Sequence, residues 1–218
     1  MLDRFDLVVF DWDGTLSDST EAIARAIQDA AADLGLPVPD DATASHVIGL
    51  GLHDALARAV PTLAPERIPE YSARYRFHFL AREAELVLFP GARELIAELR
   101  AAGVLLAIAT GKSQRGLQRA LASTALAGEF AATRCADQTH PKPHPAMLFE
   151  LADELMVPPE RTLMVGDTTH DLQMAAAAGT TAVGLTQGAH PYEQLAACRP
   201  LALFDSLTQL HEWLMPSR

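Results

Sequence analysis

Lysine is almost missing from this chain. In 218 residues it occurs twice, at Lys112 and Lys142, against 15 arginines. Where surface charge alone is wanted, the sequence supplies arginine. A compact ammonium therefore suggests a task that a broad guanidinium fork does poorly, such as reaching one oxygen in a crowded pocket. Cysteine is equally scarce: Cys135 and Cys198 make no disulfide framework and have no metal-ligand spacing, so a reduced, cytoplasmic setting is expected. Positive charge is in deficit, with 17 Lys+Arg against 28 Asp+Glu for a net charge of −11. That balance argues against a nucleic-acid coat or a membrane-surface binder, both of which need clustered positive charge. No apolar run approaches the ~18–20 residues of a membrane span. The start, Met1-Leu2-Asp3-Arg4-Phe5-Asp6, lacks the basic opening and long apolar stretch of a secretory signal. What remains, 49% hydrophobic and 21% charged, is the composition of an ordinary soluble globular protein. Its length suits one domain with an insert or two small domains.

Short apolar runs that end at polar loops alternate with longer amphipathic stretches. Leu7-Val8-Val9-Phe10 runs into Asp11, Val104 to Ala109 into Thr110, and Thr162 to Val165 into Gly166-Asp167. Weaker runs cover Ala131 to Ala136, Thr181 to Leu185 and Leu201 to Phe204. Apolar runs without alternation suit strands buried on both faces of a parallel sheet. Helix-length segments lie between them: Gly91 to Ala101, Ser113 to Leu126, Pro145 to Leu155 and Asp171 to Ala178. Ser113 and Asp171 are expected as N-caps, with Gly103 and Gly179 as stops. The repeated strand–helix order predicts an α/β fold, a doubly wound parallel sheet with a Rossmann-like core.

The segment from about Ser19 to Glu85 breaks that rhythm. It shows no strand, and Ile23, Ile27, Ala30 and Leu34, then Leu52, Leu56 and Val60, recur at helical spacing. Five prolines, Pro37, Pro39, Pro61, Pro65 and Pro69, divide it into short helices. A small α-helical domain over 18–85 is expected, inserted into a core made of 1–17 and 86–218.

In an open parallel sheet the working groups sit beyond the carboxyl ends of the strands. Asp11, Asp13, Thr110, Lys112, Asp167 and Asp171 fall there, and Lys142 lies in a loop ahead of a helix. Taken singly, an Asp after a strand also serves as a cap or turn former. Asp11 and Asp13 together are harder to explain that way, because two carboxylates two residues apart repel without a cation or proton between them. A hard cation such as Mg²⁺ binds through one or two carboxylates, substrate phosphate oxygens and water, and Asp167 offers another oxygen. A carboxylate nucleophile, a metal, a hydroxyl and an ammonium together suit phosphoryl transfer.

The sequence resembles the haloacid dehalogenase-like hydrolase superfamily, in its phosphoglycolate-phosphatase-like branch. Four motifs occur in the order of that family: Asp11-Trp12-Asp13-Gly14-Thr15-Leu16-Ser17-Asp18-Ser19, Thr110-Gly111-Lys112, Lys142-Pro143-His144-Pro145, and Gly166-Asp167-Thr168-Thr169-His170-Asp171. The resemblance spans nearly the whole chain, and the helical insert corresponds to the family's cap domain. It implies that Asp11 attacks phosphorus and that Asp13 acts as general acid and base. It implies that Thr110, Gly111, Lys112 and Lys142 meet the phosphoryl group. It also implies that Mg²⁺ is held by the Asp11 carboxylate, the Asp13 carbonyl and Asp167, with Asp171 one layer further out. The family often carries Asn where this chain has Gly111, which removes one side-chain contact. Trp12 is bulkier than the usual aliphatic residue and is expected to face the core.

The implied activity is Mg²⁺-dependent hydrolysis of a small phosphorylated metabolite, with phosphoglycolate as the first candidate. A phosphomutase would share the aspartyl-phosphate but return the phosphoryl group to a sugar phosphate. A phosphoacceptor signalling domain would lack Asp13 and the insert. A dehalogenase needs neither metal nor Asp13, and a phosphonate hydrolase needs a lysine that the insert does not contain. Specificity is expected from the insert, where His46, Gly49, Gly51, His53, Arg58, Arg74 and Arg76 are candidates to face the site.

Overall fold

The computed structural model describes residues 1–216. Strand β1 (Leu7–Phe10) leads to a two-residue strand β2 (Ser17–Asp18) and then to four helices. These are α1 (Thr20–Asp33), α2 (Asp41–His46), α3 (Leu52–Ala59) and α4 (Ile68–Arg82). A short β3 (Val87–Leu88) returns the chain, followed by α5 (Ala92–Ala101), β4 (Leu105–Thr110), α6 (Gln114–Ser123) and β5 (Ala132–Cys135). The remainder is α7 (Ala146–Leu155), β6 (Thr162–Gly166), α8 (Thr169–Ala178), β7 (Thr181–Leu185), α9 (Tyr192–Ala197), β8 (Ala202–Phe204) and α10 (Leu207–Leu214). No described helix is long and apolar enough to cross a membrane.

Six strands form one parallel sheet in the order β5-β4-β1-β6-β7-β8. Both faces are covered, which explains the unbroken apolar runs. In β1 the side chains alternate between two cores. Val8 and Phe10 pack with Leu95, Leu99 and Leu210 on one face. Leu7 and Val9 pack with Met147, Leu151 and Met174 on the other. The bulky Trp12 joins the first of these clusters, 1% exposed, and so faces the core.

The insert packs as a unit of its own. Ile23, Ile27, Leu56, Val60, Tyr71 and Phe79 make a separate buried cluster. The Tyr71 hydroxyl donates to the Ile27 carbonyl at 2.9 Å, tying α4 to α1. At its root, Ser17 pairs with Leu88 and Asp18 with Val87 in an antiparallel ribbon. Two-residue strands carry too little pattern to be seen in a sequence.

One expected cap is corrected. Asp171 does not cap α8; Thr168 does, and the helix starts at Thr169. Thr168 is extended (φ −121°, ψ 156°), and Asp171 lies at the third helical position, its carboxylate accepting the Thr168 N–H at 3.1 Å. This is the reciprocal capping box, in which the acidic residue reaches back to the cap.

The sheet reverses at β1, with β4 on one side and β6 on the other, so the carboxyl ends of these three strands open one crevice. Leu95 is fully buried against β1. Leu95→Ala should destabilise the protein by about 2–5 kcal/mol. Urea unfolding checks this, and an unchanged midpoint would contradict the packing described.

Candidate active site

The register of the sheet decides which side chains meet. Phe10 lies opposite Ile108 on β4 and Val165 on β6, so Asp11 follows level with Ala109 and Gly166, one residue short of Thr110 and Asp167. The Asp11 N–H donates to the Val165 carbonyl at 2.9 Å, and its Oδ1 accepts the Trp12 N–H at 2.6 Å. Its Oδ2 lies 2.9 Å from Lys142 Nζ, and the same ammonium is 2.6 Å from Asp171 Oδ1. Asp167 accepts the Thr15 hydroxyl at 2.6 Å and the Ala189 N–H at 2.8 Å.

Ligand oxygens of Asp11, Asp167 and Asp171 all lie within 4.8 Å of one another, and all three residues are buried. Burial pushes the Asp11 carboxyl up to about 7, with Lys142 opposing and Asp171 adding to the rise. Asp167 is also held well above the usual range, by burial and by the charges of Asp11 and Asp171. Burial alone would lower Lys142, yet Asp11 and Asp171 outweigh it and hold the ammonium protonated. Asp11 Oδ2, Lys142 Nζ and Asp171 Oδ1 are buried without a well-aligned hydrogen bond among the described groups. Three carboxylates around one ammonium leave an excess of negative charge. A hard cation fits that donor set.

Asp13 occupies a different environment. Lys112 Nζ lies 2.9 Å from both of its oxygens, and the Ser19 hydroxyl donates to Oδ1 at 2.7 Å. The two lysines thus divide the two motif carboxylates between them. Lys112 also sits 4.8 Å over the Phe79 ring of the insert. Gly14, which follows Asp13, has φ +80°, and an added Cβ would stand 2.1 Å from Asp167 Oδ2, so this turn admits only glycine.

Gly111 has a steric explanation. A Cβ there would lie 2.4 Å from the Leu50 carbonyl oxygen and 2.6 Å from that of Gly49. The 47–51 turn of the insert rests on the backbone of the Thr110-Gly111-Lys112 loop, in space an asparagine would occupy. Between insert and core lies a cavity of about 840 Å³ that reaches Asp11, Asp13, Thr110, Gly111 and Lys112. Lys142, Asp167 and Asp171 do not line it. Lys142 contacts Asp11 from the buried side.

Of the insert candidates, Gly49, Gly51, His53 and Arg76 line the cavity. His46, Arg58 and Arg74 do not. Arg74 pairs with Asp33 at 2.8 Å. His46 stacks on His190, and its carbonyl faces His170 Nε2 at 3.0 Å and His190 Nε2 at 3.1 Å. His190 Nδ1 accepts the Thr169 N–H at 3.0 Å, so its proton sits on Nε2 and is donated to His46. Burial and the neighbouring His170 push His190 down to about 4, which keeps it neutral in that role. Sequence reasoning missed Thr15, Ser19 and Ala189 as partners of the carboxylates. The first two stand inside the first motif, whereas Ala189 contributes only a backbone N–H and leaves no mark in side-chain chemistry.

The Haloacid dehalogenase-like hydrolase family matches residues 8–185. The chain is 38% identical over 211 residues to the probable phosphatase IndB of Dickeya dadantii (strain 3937), covering 94% of this chain and 91% of that one. It is 31% identical over 221 residues to a phosphoglycolate phosphatase of Mannheimia succiniciproducens, covering 96% and 98%. A crystal structure of a predicted phosphoglycolate phosphatase from Haemophilus somnus 129pt matches with a TM-score of 0.86 at 28% identity, covering 96% of this chain and 98% of that one. The chain belongs to the haloacid dehalogenase-like hydrolase family, on its phosphoglycolate-phosphatase-like branch.

Proposed function

We propose that this enzyme is a Mg²⁺-dependent phosphatase of a small phosphorylated metabolite, working through an aspartyl-phosphate on Asp11. The observation that carries the reading is the pairing of a buried Asp11, touched by Lys142, with an Asp13 that faces the same cavity. In this reading 1–17 and 86–218 form the hydrolase core and 18–85 the cap, and the protein works in the cytoplasm. Phosphoglycolate is the first substrate to try, on the strength of the relatives.

In the first step an Asp11 oxygen forms a bond to phosphorus as the ester P–O bond breaks. The electron pair leaves with the alcohol oxygen, which takes a proton from the Asp13 carboxyl. In the second step Asp13 accepts a proton from water, whose oxygen bonds to phosphorus while the Asp11 O–P bond breaks. Thr110, Gly111 and Lys112 line the phosphoryl side of the cavity, and Lys142 offsets negative charge at Asp11. Ser19 and Lys112 hold Asp13 in place for both transfers. Mg²⁺, held by Asp11, Asp167 and the Asp13 carbonyl with Asp171 behind them, would neutralise charge on the transferring oxygens.

The test is phosphate release from a panel of phosphorylated metabolites with Mg²⁺ or EDTA. Asp11→Asn should abolish release, and Asp13→Asn should lower kcat by about 10²–10⁴. Phosphate that stays organic and moves within a sugar phosphate would mark a mutase instead. Lys142→Arg should lower kcat at least tenfold, because a guanidinium fork does not fit the buried slot between Asp11 and Asp171. Near-normal turnover in that variant would refute the compact-ammonium argument.

Metal binding has a readout in stability. Asp11 and Asp167 hold protons more tightly folded than unfolded, so their contribution is present below the ordinary value of 3.8 and is lost as pH rises through about 7. The metal-free protein should therefore lose stability from pH 5 to pH 8. Mg²⁺ at about 100 times its Kd should add about 2.7 kcal/mol, roughly 5–10 °C in Tm. At one fixed Mg²⁺ concentration the increment should be larger at pH 8 than at pH 5, because protons compete for the same oxygens and raise the apparent Kd; an equal increment at both would place the ion elsewhere.

A further inference from the structure

The cavity is larger than a two-carbon acid needs, and its two walls differ in chemistry. At about 840 Å³ it lies in the range that houses drug-sized ligands. The core wall carries the reacting groups. The insert wall is mainly apolar, through Ile23 and Ile27 from α1, Val47, Leu52, and Phe79 and Leu80 from α4, with His53, Asp54 and Arg76 as its charged or polar members. The cationic side chains on the lining are either committed or exposed. Lys112 is engaged with Asp13, and Arg119 donates to both oxygens of Glu83. Arg76 and Arg115 are exposed, and His53 lies beside Asp54.

The two tyrosines one helical turn apart on α4 have different duties. Tyr71 is buried and spends its hydroxyl on the Ile27 carbonyl. Tyr75 lines the cavity, and among the described residues its hydroxyl has no hydrogen-bond partner. Its ring lies 5.8 Å from that of Phe79 at an interplanar angle of 16°, so the two form a stacked aromatic pair in the cavity lining. Such a surface favours an apolar or aromatic ring and offers one hydroxyl for one polar atom.

We propose that the substrate is the phosphate monoester of a ring-bearing, largely apolar alcohol bulkier than glycolate. In this proposal Tyr75 is a specificity-determining residue that hydrogen-bonds a polar atom on that ring. The inference rests on the phosphatase reading and names the substrate class of the same site. Its energetic basis is transfer of apolar surface from water to the insert wall, a selectivity that phosphoglycolate does not draw on.

The experiment uses esters of primary alcohols, so that leaving-group basicity stays nearly constant. Ethyl, butyl, hexyl and 2-phenylethyl phosphate are compared with phosphoglycolate in Mg²⁺. From ethyl to hexyl, kcat/KM should rise about fourfold per methylene, on the order of 10² overall. The 2-phenylethyl ester should exceed phosphoglycolate at least tenfold. A flat series, or phosphoglycolate as the best substrate, overturns the proposal.

Tyr75→Phe is read as a ratio. It should lower kcat/KM for 2-(4-hydroxyphenyl)ethyl phosphate relative to the plain 2-phenylethyl ester by about tenfold. An equal loss on both esters would assign Tyr75 a structural role and remove it from the proposal. If no ester is hydrolysed, the phosphatase reading fails. Calorimetric binding of the same esters to Asp11→Asn then decides the pocket separately: affinity that climbs with apolar size sustains it, and affinity that does not overturns it.

Discussion

The buried contact of Lys142 with Asp11 and Asp171 is the constraint around which the rest of the molecule is arranged. Lys142 is 1% exposed as a residue, and its ammonium meets two carboxylates while a third, Asp167, lies beside them. Taking such charges out of water is expensive, and the attraction among them repays it only with tight geometry and added hydrogen bonds. The chain supplies these from several directions. Thr168 holds Asp171 through the capping box, Thr15 and Ala189 hold Asp167, and the Trp12 N–H holds Asp11. A cluster with more carboxylates than ammonium groups is poor material for stability. It is suitable for holding a cation and handling an anionic substrate, which is the use proposed for it.

The parallel sheet makes this concentration of charge feasible. Because the strand order reverses at β1, the ends of β1, β4 and β6 open side by side and their following loops diverge. Close approach then requires glycine at particular points. Gly14 lets the turn after Asp13 pass Asp167, and Gly111 lets the insert rest on the loop after β4. The absence of a side chain at Gly111 is therefore a packing feature of the interface between the two units.

The insert contributes a chemistry that the core lacks. Its apolar residues serve twice, closing its own helical cluster and forming one wall of the cavity, as Ile23, Ile27 and Phe79 do. Phe79 also touches Lys112, which holds Asp13, so the wall that would read the leaving group is in contact with the group proposed to protonate it. The clasp of His46 by His170 and His190 fixes the turn that carries Gly49 above Asp11.

Much of the architecture was legible in the sequence, because unbroken apolar runs and helical spacing are local signals. The limits of β1 and β7 agree with the expected runs residue for residue, and Lys112 and Lys142 stand out by composition alone. The motifs place the carboxylates after the strands, so their convergence follows once the sheet is parallel. Other features depend on distance in space. The β2–β3 ribbon pairs residues far apart in the chain, Asp171 serves the Thr168 cap from within its helix, and Arg74 turns to Asp33 while Arg76 lines the cavity. Local patterns encode the sheet, the helical insert and the candidate residues of the site, since each lies in neighbouring positions. Packing in three dimensions sets which lysine meets which carboxylate, why position 111 is glycine, and the shape of the insert wall of the cavity. Those depend on packing between segments that no local pattern connects.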